Sequence, residues 1–352
     1  MRTRSSTGFT TSLPMQLSAL TLGIETSCDD TSIAVLRGFE VLSSLVSSQD
    51  DLHVQWGGIV PEAAAREHLE MALPILEAAL AEAGVSLPDL ELIGVTTRPG
   101  LVGALSVGAS MAQALGAWLN VPAVGVNHLH AHLLSPLLSD PAIAFPSLGL
   151  LVSGGHTELV LLTSPTEFEI LAETRDDAAG ETLDKCARLI GLPYPGGKEL
   201  ESLALSGDSS KYALPEPFLR DRSAFSFSGL KTAAARLVEE HSQDLDRASF
   251  AAGVQARVVE ALVRQTQYWI EECEVRTVTL SGGVAANRSL RQALQTLAER
   301  NNVAFVAAAP AYCTDNGAMI ALAAQILQGT AHESLDVNSR SQESDVQRPT
   351  TD

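Results

Sequence analysis

The chain has 352 residues, of which 45% are hydrophobic and 18% charged, and its net charge is −19. Such a length and composition suit a globular protein of two domains and exclude a disordered or collagenous chain. The acidic balance excludes general electrostatic attraction to nucleic acid, so any nucleic acid must meet a local basic patch or be delivered by a partner.

Cys28, Cys186, Cys273 and Cys313 are irregularly spaced and form no CxxC pair. This speaks against a disulfide framework or structural zinc and for a reducing, cytoplasmic setting. No run of roughly 18 or more apolar residues stands out, so no membrane span is expected.

Residues 1–18 read as a disordered extension, with Met15 as an alternative start. A strand at Leu20–Glu25, a polar turn at Thr26–Thr31 and a strand at Ser32–Leu36 open the first domain, 19–145. Pro61 suits a helix's first turn, apolar residues recur at helical spacing to Leu80, and Gly84 ends the element. Leu92–Thr97 reads as a strand, followed over Thr96–Asn120 by a Pro-Gly turn and a helix of small residues that allows close packing.

A strand at Val121–Val126 leads into Asn127, a good N-cap, and then His128, His130 and His132. On a helix His128 and His132 share a face at i, i+4 and His130 points elsewhere; on a strand all three would share one. The leucines that follow favour the helix, with His128 and His132 as a metal-ligand pair.

The second domain, 146–330, opens at Leu148–Leu162 with a strand, the turn Ser153-Gly154-Gly155-His156-Thr157 and a second strand. Paired glycines permit positive φ and close ligand approach, and successive N–H groups in such a turn can bind an anion. Leu148–Leu162 aligns without a gap on Leu22–Leu36, 126 positions earlier, with Leu, Gly, Ser and Thr coinciding. A repeat of that length implies two similar domains. A hairpin opening each half is the plan of the actin-like, sugar-kinase and Hsp70 ATPase superfamily (ASKHA, ribonuclease H-like). The fold class expected is therefore α/β, with two actin-like domains around a ligand and metal cleft.

Glu173–Gly207 is loop-rich, with Asp184 on a helix at Ala178–Ile190 and a turn at Pro195–Gly197. Phe225 and Phe227 read as core, and Asp246–Glu272 as a long amphipathic helix. The strand Val275–Leu280 runs into a second Gly-Gly turn and a helix over Ser281–Arg300, a pattern that can hold an anion or nucleotide. Asn287 is expected one turn inside that helix, suited to a base or ribose contact. Asp315 lies before the last helix, as its cap or as a third ligand for the histidine-bound metal. That helix is free to pack back on the first domain. Residues 331–352 read as a disordered tail.

GIETSCDDTS (Gly23–Ser32), GGIVPEAAAREHLE (Gly57–Glu70), TRPGLVGALSVG (Thr97–Gly108), VNHLHAHLLSP, LVSGGHTELV, AGETLDKCARLIGLPYPGG, FSFSGLKTA, LSGGVAANRSLR and YCTDNGAMIA together resemble the universal tRNA threonylcarbamoyltransferase family. Its bacterial branch is called TsaD. The resemblance runs from Leu20 to Leu327. It implies transfer of threonylcarbamoyl from L-threonylcarbamoyladenylate to the N6 amine of adenosine 37 in tRNAs reading codons that begin with A, releasing AMP. It also implies one divalent metal, iron or alternatively zinc, on His128, His132 and Asp315. Leu151, Val152, Ser153, Gly154 and Gly155 would bind ligand, and Asp184, Gly197, Glu201 and Asn287 would hold the adenylate's ribose and adenine. Asp29 or Asp30 would assist proton removal. Implied partners are tRNA, a TsaB-type paralogous subunit and a TsaE-type ATPase.

Three positions depart from the family pattern. His130-Ala131 stands where Glu-Gly is usual, so His130 is expected to alter the metal's surroundings or add a ligand. Asp29-Asp30 replaces an Asp-Glu pair, and Glu201 replaces an Asp. The competing readings are an O-carbamoyltransferase acting on a small molecule and a non-catalytic actin-like subunit, which would not need the HxxxH pair or Asp315.

Overall fold

The computed structural model describes residues 17–49, 52–53, 59–217, 221–328 and 335–340. Residues 1–16 and most of the expected tail lie outside them. Within that tail, the Asn338 N–H donates to Thr97 O at 2.9 Å, and Leu335 packs on the first core.

The first sheet runs β3-β2-β1-β4-β5, and the second β11-β10-β6-β7-β8-β9. The first comprises β1 (Leu20–Glu25), β2 (Asp30–Arg37), β3 (Glu40–Ser48), β4 (Leu92–Arg98) and β5 (Ala123–Asn127). The second comprises β6 (Ser147–Val152), β7 (Thr157–Ser164), β8 (Glu167–Thr174), β9 (Ala224–Phe225), β10 (Thr277–Ser281) and β11 (Ala304–Ala307). Each half is an antiparallel three-stranded meander whose first strand continues into parallel neighbours. The repeat extends to register: Gly23 pairs with Ala34, and Gly149 with Val160, the same pair shifted by 126.

Helices α1 (Pro61–Ala83) and α2 (Val102–Leu119) cover the outer face of the first sheet. Proline occupies the first turn of α1, and Gly84 closes it in the left-handed region at φ 66°. On α2 the stripe of small residues lets the helix sit against β1, with Thr26 Oγ1 2.5 Å from where a Gly108 Cβ would be. By length and composition α2 could cross a bilayer, contrary to the expectation of no such segment. Here it packs on α1 and the sheet instead.

The middle layer is shared. α3 (His128–Leu134) and α9 (Gly317–Leu327) contribute to one core with Ala34, Leu36 and Val126 of the first sheet and Leu151, Val160 and Leu162 of the second. Every residue of α9 is buried, and it lies on β1, β2 and β4, so the last described helix belongs spatially to the first sheet. Contact there is backbone to backbone: a Cβ on Gly23 would fall 2.0 Å from Gly317 O. α4 (Ala179–Leu189), α5 (Gly197–Ala204), α6 (Ser228–Glu240), α7 (Arg247–Glu272) and α8 (Arg288–Asn301) complete the layer behind the second sheet. Phe225 and Phe227 are buried in that core, as expected.

One strand position conflicts with its surroundings. Glu158 on β7 is 8% exposed and stands opposite Glu173 on β8. Burial, then the Glu173 charge, raises its pKa from 4.5 to about 7. Between these values the native state holds a proton that the unfolded chain has lost, so stability falls as pH rises. The loss is about 1.4 kcal/mol per pH unit across that window and is complete above it. Glu158→Gln is therefore expected to flatten this loss and raise the melting temperature at pH 8 but not at pH 4, as thermal denaturation at the two pH values will show.

Candidate metal centre and ligand cleft

Asn127 caps α3 by accepting the N–H groups of Leu129 and His130, at 2.9 and 3.3 Å. The cap starts the helix one residue before the histidines' face, so His128 and His132 stack edge to face, ring centroids 4.6 Å apart. Asp315 completes the group. Its Oδ1 lies 3.4 Å from His128 Nε2 and 3.1 Å from His132 Nε2. Of the two sequence readings for Asp315, the cap falls to its neighbour: Asn316 accepts the Met319 N–H and leaves Asp315 to face the histidines.

Two imidazole nitrogens and a carboxylate oxygen, all within 4.8 Å of one another, are a donor set that fits one divalent ion. The Asp315 side chain keeps 25% exposure, against 2% for His132, so the cluster opens on one side. That asymmetry matches centres that leave positions for a ligand.

Glu25 stands behind His128 and was not singled out by sequence. His128 Nδ1–H donates to its Oε2 at 2.9 Å, and the same carboxylate accepts from Thr96 Oγ1 and the Ser27 N–H at 2.6 Å each. Donation from Nδ1 turns Nε2 toward the cluster, the usual arrangement behind a metal-bound histidine. His132 has no such support: its Nδ1 is buried without a partner. Burial disfavours charge on all these groups, yet the Asp315 and Glu25 charges hold His128 well above its ordinary range. Against the same burial penalty, His128 holds Glu25 and Asp315 below theirs.

His130 takes no part. Its Nε2–H donates to Pro165 O at 3.0 Å and its ring packs on Phe168, with the centroids 4.6 Å apart. The expected influence on the metal is thereby corrected, because helical geometry turns this ring toward the β7–β8 connection.

The first turn reaches the cluster through Ser27, whose Oγ is 3.3 Å from His128 Nδ1. His68 on α1 holds this turn, accepting from Thr31 Oγ1 at 2.8 Å and donating to Cys28 O at 3.1 Å. Asp30 begins β2, and Asp29 lies beside the Cys28 thiol, which burial and the surrounding carboxylates keep protonated.

The second turn approaches from the other sheet. Ser153 N–H donates to His156 O at 2.8 Å, and Ser153 Oγ accepts the His156 N–H at 3.0 Å. Burial, with the nearby His128 and His132, pushes His156 down to about 4, so it is neutral beside the cluster. Leu151 and Val152 are fully buried, main chain included. Positive φ is not what Gly154 and Gly155 supply, since neither adopts it. A Cβ on either would meet no atom within 4 Å, so these glycines leave open surface. The conformational demand falls on Gly282 in the other Gly-Gly turn, at φ +87°, where a Cβ would lie 2.4 Å from Val152 O. That close approach joins the two turns.

Asp184, Gly197, Glu201 and Asn287 fall on one short path. Asp184 Oδ1 accepts the Gly196 and Gly197 N–H groups at the start of α5. Glu201, on α5, accepts the Arg288 N–H at 2.7 Å, at the start of α8. Asn287 is the N-cap of α8, outside the helix and not a turn inside it: Oδ1 accepts the Leu290 N–H and Nδ2 donates to Gln255. α4, which carries Asp184, begins at the second turn, where the Gly180 N–H donates to Ser153 O at 3.2 Å.

A doubled sheet order with a shared helical layer is the actin-like fold, here carrying a His–His–Asp cluster in that layer. HypF from T. kodakarensis is similar, at TM-score 0.62 and 17% identity over 92% of this chain and 50% of that one. So is component A of (R)-2-hydroxyglutaryl-CoA dehydratase from Acidaminococcus fermentans, at TM-score 0.55 and 16% identity over 88% of this chain and 98% of that one.

The chain belongs to the TsaD family, tRNA N6-adenosine threonylcarbamoyltransferase, which residues 40–322 match. A member from Nitrosospira multiformis is 48% identical over 311 residues, 86% of this chain and 90% of that one. One from Thermosipho africanus is 45% identical over 306 residues, 86% and 93% of the two chains. Both bear the name tRNA N6-adenosine threonylcarbamoyltransferase.

Proposed function

We propose that this chain transfers threonylcarbamoyl from L-threonylcarbamoyladenylate to the N6 amine of adenosine 37, in tRNAs reading codons that begin with A, and releases AMP. The observation that carries the reading is the cluster of His128, His132 and Asp315 between the Ser27 turn and the Ser153–His156 turn. An intact cluster favours an enzyme over a non-catalytic actin-like subunit.

In this reading His128, His132 and Asp315 hold one divalent ion, iron or else zinc. Bound there, it supplies Lewis-acid polarisation of the acyl or phosphate oxygens. The remaining work belongs to the chain. Of Leu151, Val152, Ser153, Gly154 and Gly155, the last three offer main chain to the phosphate and acyl group. Asp184, Gly197, Glu201 and Asn287 frame the ribose and adenine; a carboxylate that accepts one or two N–H bonds keeps capacity for a hydroxyl. Asp29 or Asp30 accepts the proton that leaves the attacking amine.

The setting is cytoplasmic, with a TsaB-type paralogue and a TsaE-type ATPase as partners. Leu69 and Leu73 on α1 and Val102 and Trp118 on α2 are each at least half exposed, which supports a subunit docking on that face. The assembled complex, given unmodified tRNA and threonylcarbamoyladenylate, is expected to form one modified adenosine per AMP released. Carbamoylation of a small hydroxyl compound, with none on tRNA, would overturn the reading in favour of an O-carbamoyltransferase.

A further inference from the structure

We infer that an open cavity of about 400 Å³ between α4 and α6, with the exposed ring of Tyr194 beside it, binds an unstacked nucleotide of the tRNA anticodon loop. Lys185, Arg188, Leu189, Lys231, Thr232 and Ala235 line it. Its walls are largely aliphatic, the side chains of Leu189 and Ala235 with the stems of the cations, and the exposed Arg188 guanidinium adds a charge. That combination suits a base or ribose inside and a phosphate outside. Arg188 also lies 5.8 Å from the centre of the Tyr194 ring, which is 46% exposed. An exposed aromatic ring paired with a guanidinium is a stacking platform for a splayed base.

The pocket is built, not incidental. Asp177 and Glu181 pair with Lys185 at 2.6 and 2.7 Å, and Asp177 also pairs with Lys231, tying α4 to α6. Asp176 accepts the Phe227 and Ser228 N–H groups and fixes the start of α6. Asp177 and Glu181 take up Lys185 and Lys231, which leaves Arg188, beside the exposed Tyr194 ring, as the cation this face offers to a phosphate.

Its position fits the chemistry. α4 starts against Ser153, carries Asp184, and reaches Arg188 one turn later. At 1.5 Å per residue, Arg188 lies roughly 12 Å along the helix from Gly180, within the span of one anticodon loop. Tyr194 precedes the Gly196 and Gly197 amides that bond Asp184. A strand presenting its adenosine at the cluster can thus lay a neighbouring nucleotide over Tyr194 and Arg188.

The inference rests on the proposed transfer to tRNA, and the two fail differently. Arg188→Ala and Tyr194→Ala alter exposed side chains away from the cluster, so metal content and adenylate affinity are expected to match the parent complex. Each should raise KM for tRNA about 10-fold with kcat held, and Tyr194→Phe should restore it. Arg188→Ala should also lower the dependence of log affinity on log salt by about 0.7, one phosphate's share, for an anticodon stem-loop RNA. Unchanged KM in both alanine variants of an active complex would overturn the inference. So would competition by free AMP or ATP that vanishes in Arg188→Ala, because the pocket would then serve a mononucleotide. A parent complex that never modifies tRNA would instead sink the functional reading.

Discussion

His132→Ala is expected to empty the metal centre and reduce transfer on the order of 1,000-fold. The estimate follows from removing one of three protein donors and with it the several kcal/mol of charge stabilisation that a bound ion supplies. Both readouts should fall together: metal by elemental analysis of the purified complex, and transfer by counting modified adenosine. Full metal stoichiometry in the variant would refute the ligand assignment. Glu25→Gln is a milder test of the same geometry. It weakens the hydrogen bond that orients His128, and such supporting changes cost about 10- to 100-fold in metal affinity or activity. The pH dependence has a fixed sign. The metal-free His128 is held well above its ordinary pKa between Asp315 and Glu25, so a proton must leave before Nε2 can ligate. Affinity therefore rises with pH while that proton is present, and metal uptake in weak buffer should release it.

Gly23→Ala is expected to destabilise the whole protein by about 3 kcal/mol or more, at the upper end of what overpacking costs. The added methyl would lie 2.0 Å from Gly317 O and 2.6 Å from Ala321 N. Both are backbone atoms of α9, so no side chain can swing away, and the helix must lift as a body. Asp315 lies two residues before α9, so lifting it disturbs the metal centre as well. Melting temperature and metal content should drop together. Gly154→Ala is the control: no atom lies within 4 Å of the new methyl, and its melting curve should match the parent's. A Gly23→Ala protein that melts normally would mean that the close packing of α9 on β1 is not what holds the middle layer.

Much of the architecture was readable because it rests on local pattern. Leu22–Leu36 and Leu148–Leu162 share alternating apolar positions, and the strand pairs kept that alignment, Gly23 with Ala34 and Gly149 with Val160. The helical reading of the histidine segment followed from Asn127, whose side chain does cap α3. What stayed hidden depends on contacts between distant segments. Glu25 looks like the polar end of a strand; only the fold puts His128 against it, 103 residues on. His130, as a departure from the family pattern, is expected to alter the metal's surroundings or add a ligand, but its ring faces Pro165. The conformational demand expected at Gly154 and Gly155 falls on Gly282 instead, because nothing local in sequence places Val152 O against it. Asn287, expected one turn inside its helix, caps it instead, because the helix begins at Arg288.

Placing α9 on the first sheet has a consequence for biosynthesis. The two histidines leave the ribosome early, but Asp315 lies 183 residues after His132. A nascent chain can form β1 to β5 and α3 and still have only two of the three donors. Until α9 docks, Gly23 and Gly94 face an empty groove and the cluster has no carboxylate from that side. If the cluster holds the proposed metal, loading is a late event, reserved for chains whose second sheet has been made and whose last helix has returned to the first. An interrupted or truncated chain would lack the third donor of the candidate site, which couples assembly of that site to completion of the fold.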